Sequence, residues 1–269
     1  MSRSLETILF AAPSAKAQAG LRIASAVAAV VVLALLVGVV LRFHAAGQLD
    51  SSLWSFFAMP STWLFLAKGL WGTLASAVVA AVIALVLGLV LLAGRLSKLW
   101  WVRWPSVAVI ELLRGTPALL LIYVCFLLLP VLGLQLPTYW MLTLPIGLST
   151  AAVVAEVYRA GVLAVPRGQA EAARSLGMRP LQVFRLVVFP QALRFILPAL
   201  VAQLVIVVKD TTLGYVVTYG ELMQNGKVLI ANYQALVPVY LVVAVLYCAV
   251  NYVISKASQR LARSMQRGA

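Results

Sequence analysis

The chain alternates between long uncharged stretches and short basic ones. Residues 23–41 form an uncharged run of 19, and residues 69–94 form one of 26. A helix needs roughly 20 apolar residues to cross a hydrocarbon core, so each run predicts one span. Residues 115–155 contain 41 uncharged positions, too many for a single crossing. Pro130, Gly133 and Pro137 punctuate that run and predict two spans joined by a turn. Residues 228–255 supply another 28 uncharged positions. A less regular run starts at Phe195, continues for 14 residues, and is broken by Lys209 and Asp210 before apolar character resumes to Val217. The pattern predicts an all-α polytopic membrane protein with six helices, near 23–41, 62–94, 112–132, 139–163, 195–217 and 236–255.

Composition agrees and narrows the function classes. Of 269 residues, 64% are hydrophobic and only 10% charged, with a mean hydropathy of +1.03. An ordinary soluble domain is about 45–50% apolar and about 25% charged. One aqueous core of this size cannot hide so much apolar surface, which excludes a soluble enzyme. Cys125 and Cys248 lie in apolar runs and read as small buried hydrophobes rather than as a disulfide or metal ligands. His44, read as part of a polar loop, has no ligand companion, so no metal site is expected.

The formal charge is +14, from 21 Lys+Arg against 7 Asp+Glu. On a soluble chain this would suggest nucleic acid. On a polytopic one it reads as the basic bias of cytoplasmic loops, with no nucleic-acid partner. With the N-terminus inside, 17 of the 21 basic residues fall on one side; Arg42, Lys68, Lys209 and Lys227 fall on the other side or in the outer half of the membrane. The expected arrangement is a cytoplasmic segment 1–22, a first helix 23–41, a membrane domain 62–255, and a basic cytoplasmic tail 256–269. The first apolar run exceeds the usual signal-peptide core of about 7–15 residues and reads as a retained signal anchor.

The largest share of the charge between the spans lies in a loop at 165–194. Pro166 ends the preceding helix, and residues 169–176 read as a short helix whose compact apolar part is Ala170, Ala172, Ala173 and Leu176. Gly177 permits a left-handed cap and a change of direction. Leu181, Phe184, Arg185 and Val188 predict a second helix ending before Pro190. A short helix with small residues on one face suits a groove of another protein. The alternative is a helix lying on the membrane surface with its arginines at anionic headgroups.

Here the sequence resembles a known family. Glu171-Ala172-Ala173, Gly177 and Pro190 match the EAA signature of the integral permeases of bacterial ABC importers. Three further blocks resemble permeases of the polar amino acid uptake group: Glu111-Leu112-Leu113-Arg114-Gly115-Thr116-Pro117, Ala155-Glu156-Val157-Tyr158-Arg159-Ala160-Gly161 leading to Gly168, and Lys209-Asp210-Thr211-Thr212-Leu213 followed by Glu221-Leu222. In order, the blocks cover roughly residues 62–255. The resemblance implies a five-helix core with one extra N-terminal helix. It also implies an ATPase-coupling helix bearing Gln169, Glu171, Ala172, Ala173 and Gly177. The implied partners are a cytoplasmic ATPase dimer, a second permease (the same chain or a paralogue) and an extracytoplasmic solute-binding protein. ATP and magnesium belong to the ATPase; this chain is expected to bind no cofactor and to be no enzyme. Gly226-Lys227 is followed by Val228 and lacks the earlier glycine of a phosphate loop. The implied cargo is a polar amino acid, glutamate favoured.

Ionisable residues within spans are functional candidates, because burying them unpaired is costly. Glu111/Arg114 and Glu156/Arg159 have i,i+3 spacing and read as structural pairs at cytoplasmic helix ends. Lys209 and Asp210 point about 100° apart on a helix and need partners elsewhere. With Thr211 and Thr212 they predict a translocation path or outer gate; a structural pair joining two subunits is the alternative. An ion-coupled secondary amino acid transporter is the competing function, although no internal repeat supports it. A membrane enzyme is disfavoured, since no nucleophile–base constellation is present.

Overall fold

The computed structural model describes residues 15–267. The remainder of the expected 1–22 segment, including Arg3, lies outside the described residues. Helices account for nearly all of the structure, with no strand among the described residues. The chain forms two compact units divided after Trp54.

The first unit is carried by α1 (Ala15–Ala45). Its described side chains are exposed around the whole circumference, Phe43 being partly covered. Valine, leucine and alanine ring this helix, and a surface apolar on every side requires a lipid surround. The helix is longer than the expected 23–41. His44, expected in a loop, lies in its last turn beside Arg42, where both complement the negative end of the helix dipole. Gly47, at φ +68°, turns the chain out of the helix.

In the second unit α2 (Pro60–Arg95) and α5 (Thr138–Ala164) form the principal pair. The buried face of α2 carries Gly69, Gly72, Thr73, Ser76, Ala77, Ala80, Ala84 and Gly88. These small residues recur every three or four positions and let two backbones approach closely, as membrane helices require in the absence of a hydrophobic drive between them. Ala151 and Val154 of α5 lie against Gly88, and Gly147 of α5 lies against Ile83. Among the described residues, α1 included, five helices are apolar and long enough to span, or six counting one bent pair.

That pair is α3 (Trp100–Gly115) and α4 (Ala118–Val131), which meet at 100°. The expected single helix over 112–132 is therefore corrected: residues 112–115 finish α3, and α4 starts afresh after Pro117. Thr116 is held extended at ψ 124°, the conformation that a following proline favours. Ile110 locks α3 to Ala152 and Ala155 of α5.

After α5 come α6 (Arg167–Ser175), a helical turn at Pro180–Gln182, a π-helical stretch at Val183–Val188, and α7 (Phe189–Asp210). The second loop helix does not end before Pro190, as expected, but runs on into α7. The N–H of Phe189 bonds to the carbonyl of Phe184 five residues back. This wider π turn brings Pro190, which has no N–H to give, into the first turn of α7 without breaking the helical path. A 3-10 turn at Thr211–Val217 follows, then α8 (Leu222–Tyr233) and α9 (Leu236–Arg267). Left-handed Thr218 (φ 53°) and Gln234 (φ 54°) bracket α8.

Candidate functional site

One end of the second unit is organised by ion pairs. Glu111 and Arg114 approach to 3.6 Å, and Glu156 and Arg159 to 2.9 Å, as their spacing predicts. A residue outside the expected set joins them. Arg95, the last residue of α2, lies 2.8 Å from Glu156 and 3.5 Å from Glu111. Its side chain is 19% exposed and that of Glu156 17%. The C-terminal ends of three helices are thereby tied at one point, and the carboxylates satisfy cations that partial burial would otherwise leave costly. Sequence gave a weak signal for Arg95, an arginine ending a long apolar run; its partners become neighbours only on folding.

Following α5 in the chain, α6 is closed by a Schellman turn. Met178 N–H donates to the carbonyl of Ala173 at 3.3 Å and Gly177 N–H to that of Arg174 at 2.9 Å, while Gly177 stands at φ +79°. Ala173 is buried among Val165, Val183, Val188 and Ala192, with Ala170 and Met178 alongside. Gln191 of α7 donates to Gln169 Oε1 at 3.2 Å. Glu171, Ala172 and Leu176 remain exposed, Leu176 at 83%. The apolar positions of this helix therefore divide. Ala170 and Ala173 pack within the chain, whereas Ala172 and Leu176 face outward with Glu171.

The other candidate group lies where α7 ends. Lys209 is exposed and Asp210 partly buried; among the described residues neither makes an ion pair. Thr211 is fully buried and donates to the carbonyl of Val208 at 2.7 Å. Thr212 donates to the carbonyl of Lys209 at 2.7 Å. The four residues are contiguous across the end of α7 and the start of the 3-10 turn, with Lys209 exposed and Thr211 buried.

Beyond them lies a buried polar cluster that the candidate residues did not include. Glu221, with no exposed surface, caps α8 by accepting the N–H groups of Met223 (2.8 Å) and Gln224 (2.6 Å). Tyr247 of α9 donates to the same carboxyl. Thr73 of α2 accepts the N–H of Leu222 at 3.1 Å, and Asn225 donates to the carbonyl of Phe65 at 2.7 Å. Burial pushes the Glu221 carboxyl up to about 7, against the lowering effect of its donors and of Lys227. Glutamate at a helix N-terminus was the available signal. No group of three His, Cys, Asp or Glu able to hold a metal occurs among the described residues.

Residues 84–267 match the family model described as a binding-protein-dependent transport system inner membrane component. The chain belongs to this family. The permease is 33% identical over 226 residues to the glutamate transport system permease protein GluD of Corynebacterium glutamicum, covering 82% of this chain and 83% of that one. It is 32% identical over 200 residues to the probable glutamine ABC transporter permease protein GlnP of Bacillus subtilis, covering 73% and 92%. The octopine transport system permease protein OccM of Rhizobium radiobacter is 33% identical over 211 residues, covering 72% and 83%. Among solved structures, an amino acid ABC transporter crystallised with histidines superposes with a TM-score of 0.73 at 28% identity, over 78% of the permease and 98% of that chain. An inward-facing methionine transporter, MetNI, shares the fold with a TM-score of 0.66 at 24% identity, over 77% and 99%.

Proposed function

We propose that the permease is the membrane subunit of an ATP-driven importer of polar amino acids, coupled through α6 to a separate ATPase. The observation that carries the reading is the form of α6. Its inner face is packed into the core through Ala173, its end is fixed at Gly177, and Glu171, Ala172 and Leu176 are left outward. A force applied to the outer face passes through Val165 into α5 and through Val188 and Ala192 into α7. Glu171, Ala172 and Leu176 seat in the cleft of the ATPase, which holds ATP and magnesium.

A second permease, a copy or a paralogue, presents the matching helix to an ATPase dimer. Closure of that dimer on ATP tilts the flanking helices and switches a central cavity between inward and outward openings. The basic end faces the cytoplasm, as do both termini. The names of the glutamate and glutamine relatives support a polar amino acid as cargo, and glutamate is the first to assay. An extracytoplasmic binding protein delivers it. The exposed ammonium of Lys209 suits a carboxylate and the half-buried Asp210 suits an amino group on the path.

The test is affinity purification from native membranes in mild detergent, with partners identified by mass spectrometry. An ATPase retained by the wild type and lost from Glu171→Lys supports the coupling role. An importer that takes up amino acids on an ion gradient with no ATPase attached overturns it. Asp210→Asn with intact assembly and unchanged uptake removes the path assignment.

A further inference from the structure

A cavity of about 350 Å³ opens beside the ion-pair network, lined by Arg95, Leu96, Ser97, Arg103, Arg159 and Leu163. Three arginines from α2, α3 and α5 thus converge on one space. The local charge does not balance. Arg95 and Arg159 share Glu156, while Arg95 and Arg114 share Glu111. Arg103 is exposed and makes no ion pair among the described residues. Four guanidinium groups therefore face two carboxylates, leaving an excess of two positive charges. Guanidinium groups at such a site match the oxygens of a phosphate, donating paired N–H bonds.

The surroundings specify what carries that phosphate. Trp100, Trp101 and Trp104 are 73%, 60% and 69% exposed on the first turns of α3, with Leu99 beside them at 52%. Exposed indoles next to basic residues are the composition of a membrane–water boundary, where an aromatic ring sits at headgroup level. Leu96 is also a wall of a second cavity, of about 560 Å³, lined by Leu89, Leu92, Leu181, Phe184 and Phe189 with Arg185 as its one charged residue. A basic pocket and an apolar one therefore meet at one side chain, the division that a lipid headgroup and its acyl chain present.

We propose that Arg95, Arg103 and Arg159 bind the phosphate of an anionic phospholipid, with an acyl chain running past Leu96 into the apolar cavity. The inference rests on the membrane location and is independent of the coupling role of α6. Arg103 is the residue to change, because it contributes charge to the cavity without belonging to the ion-pair network.

The test is a native mass spectrometry titration of the purified full-length permease with short-chain phosphatidylglycerol and, separately, phosphatidylcholine, whose phosphate charge is offset by choline. The wild type is expected to bind phosphatidylglycerol about tenfold more tightly, and Arg103→Gln to lose about tenfold of that affinity, one charge-assisted contact. Arg103→Lys, which keeps the charge but loses the paired N–H geometry, falls between wild type and Arg103→Gln, and Lys98→Gln, which removes an exposed charge outside the cavity, changes it less than about twofold. Equal binding of the two lipids by the wild type overturns the site. An equal loss in Lys98→Gln overturns it in favour of diffuse surface charge. Displacement of phosphatidylglycerol by equimolar inorganic phosphate overturns the lipid in favour of a free anion.

Discussion

Tyr247 of α9 donates its hydroxyl to Glu221 Oε2 at 2.7 Å, joining the last helix to the cap of α8 inside the protein. The carboxyl that receives it titrates at about 7, raised by burial from an ordinary 4.5. In that window the folded state holds the proton more tightly than the unfolded one. The stabilisation is complete below pH 4.5, is lost as pH rises through about 7, and changes little above. The thermal midpoint of the purified permease is therefore expected to fall across this interval. Glu221→Gln, which cannot ionise, flattens that part of the profile. A profile that is the same in both proteins assigns the pH dependence elsewhere.

The ion-pair network gives a second expectation. Arg95→Gln leaves Glu156, 17% exposed, with Arg159 alone. Losing one of its two cations leaves the partly buried carboxylate only partly compensated, at a cost of about 1–2 kcal/mol here, less than for a fully buried pair left with no partner. The double change Arg95→Gln, Glu156→Gln is expected to cost less than the sum of the two single changes. Thermal midpoints of the four proteins measure the coupling, and strict additivity would show that the 2.8 Å approach contributes nothing.

A third concerns the turn after α6. Gly177 stands at φ +79° with nothing within 4 Å of where a Cβ would sit, so a side chain there meets backbone strain and no clash. Gly177→Ala is expected to cost about 1–2 kcal/mol locally. Asn tolerates the left-handed region and costs less. Hydrogen exchange at the amides of α6 reads the effect: faster exchange in the Ala variant, with the Asn variant between it and wild type.

Much of this architecture was legible in the chain, and the misses share a physical cause. Uncharged runs of spanning length located α1, α2, α5 and α9, because hydrocarbon leaves few other options for such segments. The ends were less legible: Arg42 and His44 are compatible with either a helix or a loop, and only the positive φ of Gly47 marks the stop. Two prolines were misread in opposite directions. Pro117 breaks a run expected to be one helix, whereas Pro190 is absorbed by a π turn where a break was expected. At the sites, the i,i+3 pairs were readable from spacing, since helix geometry alone brings them together. Arg95 and the Glu221–Tyr247 contact depend on helices distant in the chain. Periodicity carries no information about such partners. The inward turn of Ala173 was hidden for the same reason, as its neighbours Val183 and Val188 belong to the π stretch.

The small-residue face of α2 supplies the last prediction, and an internal control for it. A methyl at Gly88 would stand 2.8 Å from Val154 Cγ1 and 3.2 Å from the carbonyl oxygen of Ala151. Neither neighbour can retreat easily, because Val154 is buried and Ala151 O is backbone of the helix packed opposite. Gly88→Ala must then push α2 from α5, at an expected cost of about 1–3 kcal/mol. A methyl at Gly38 of α1 meets nothing within 4 Å. Gly38→Ala keeps its helix and is expected to leave the thermal midpoint unchanged or slightly raised, since alanine is the better helix former. The same substitution thus has opposite consequences at two glycines in apolar helical sequence. Equal midpoints for the two variants would mean that close approach of α2 and α5 is not what those glycines provide.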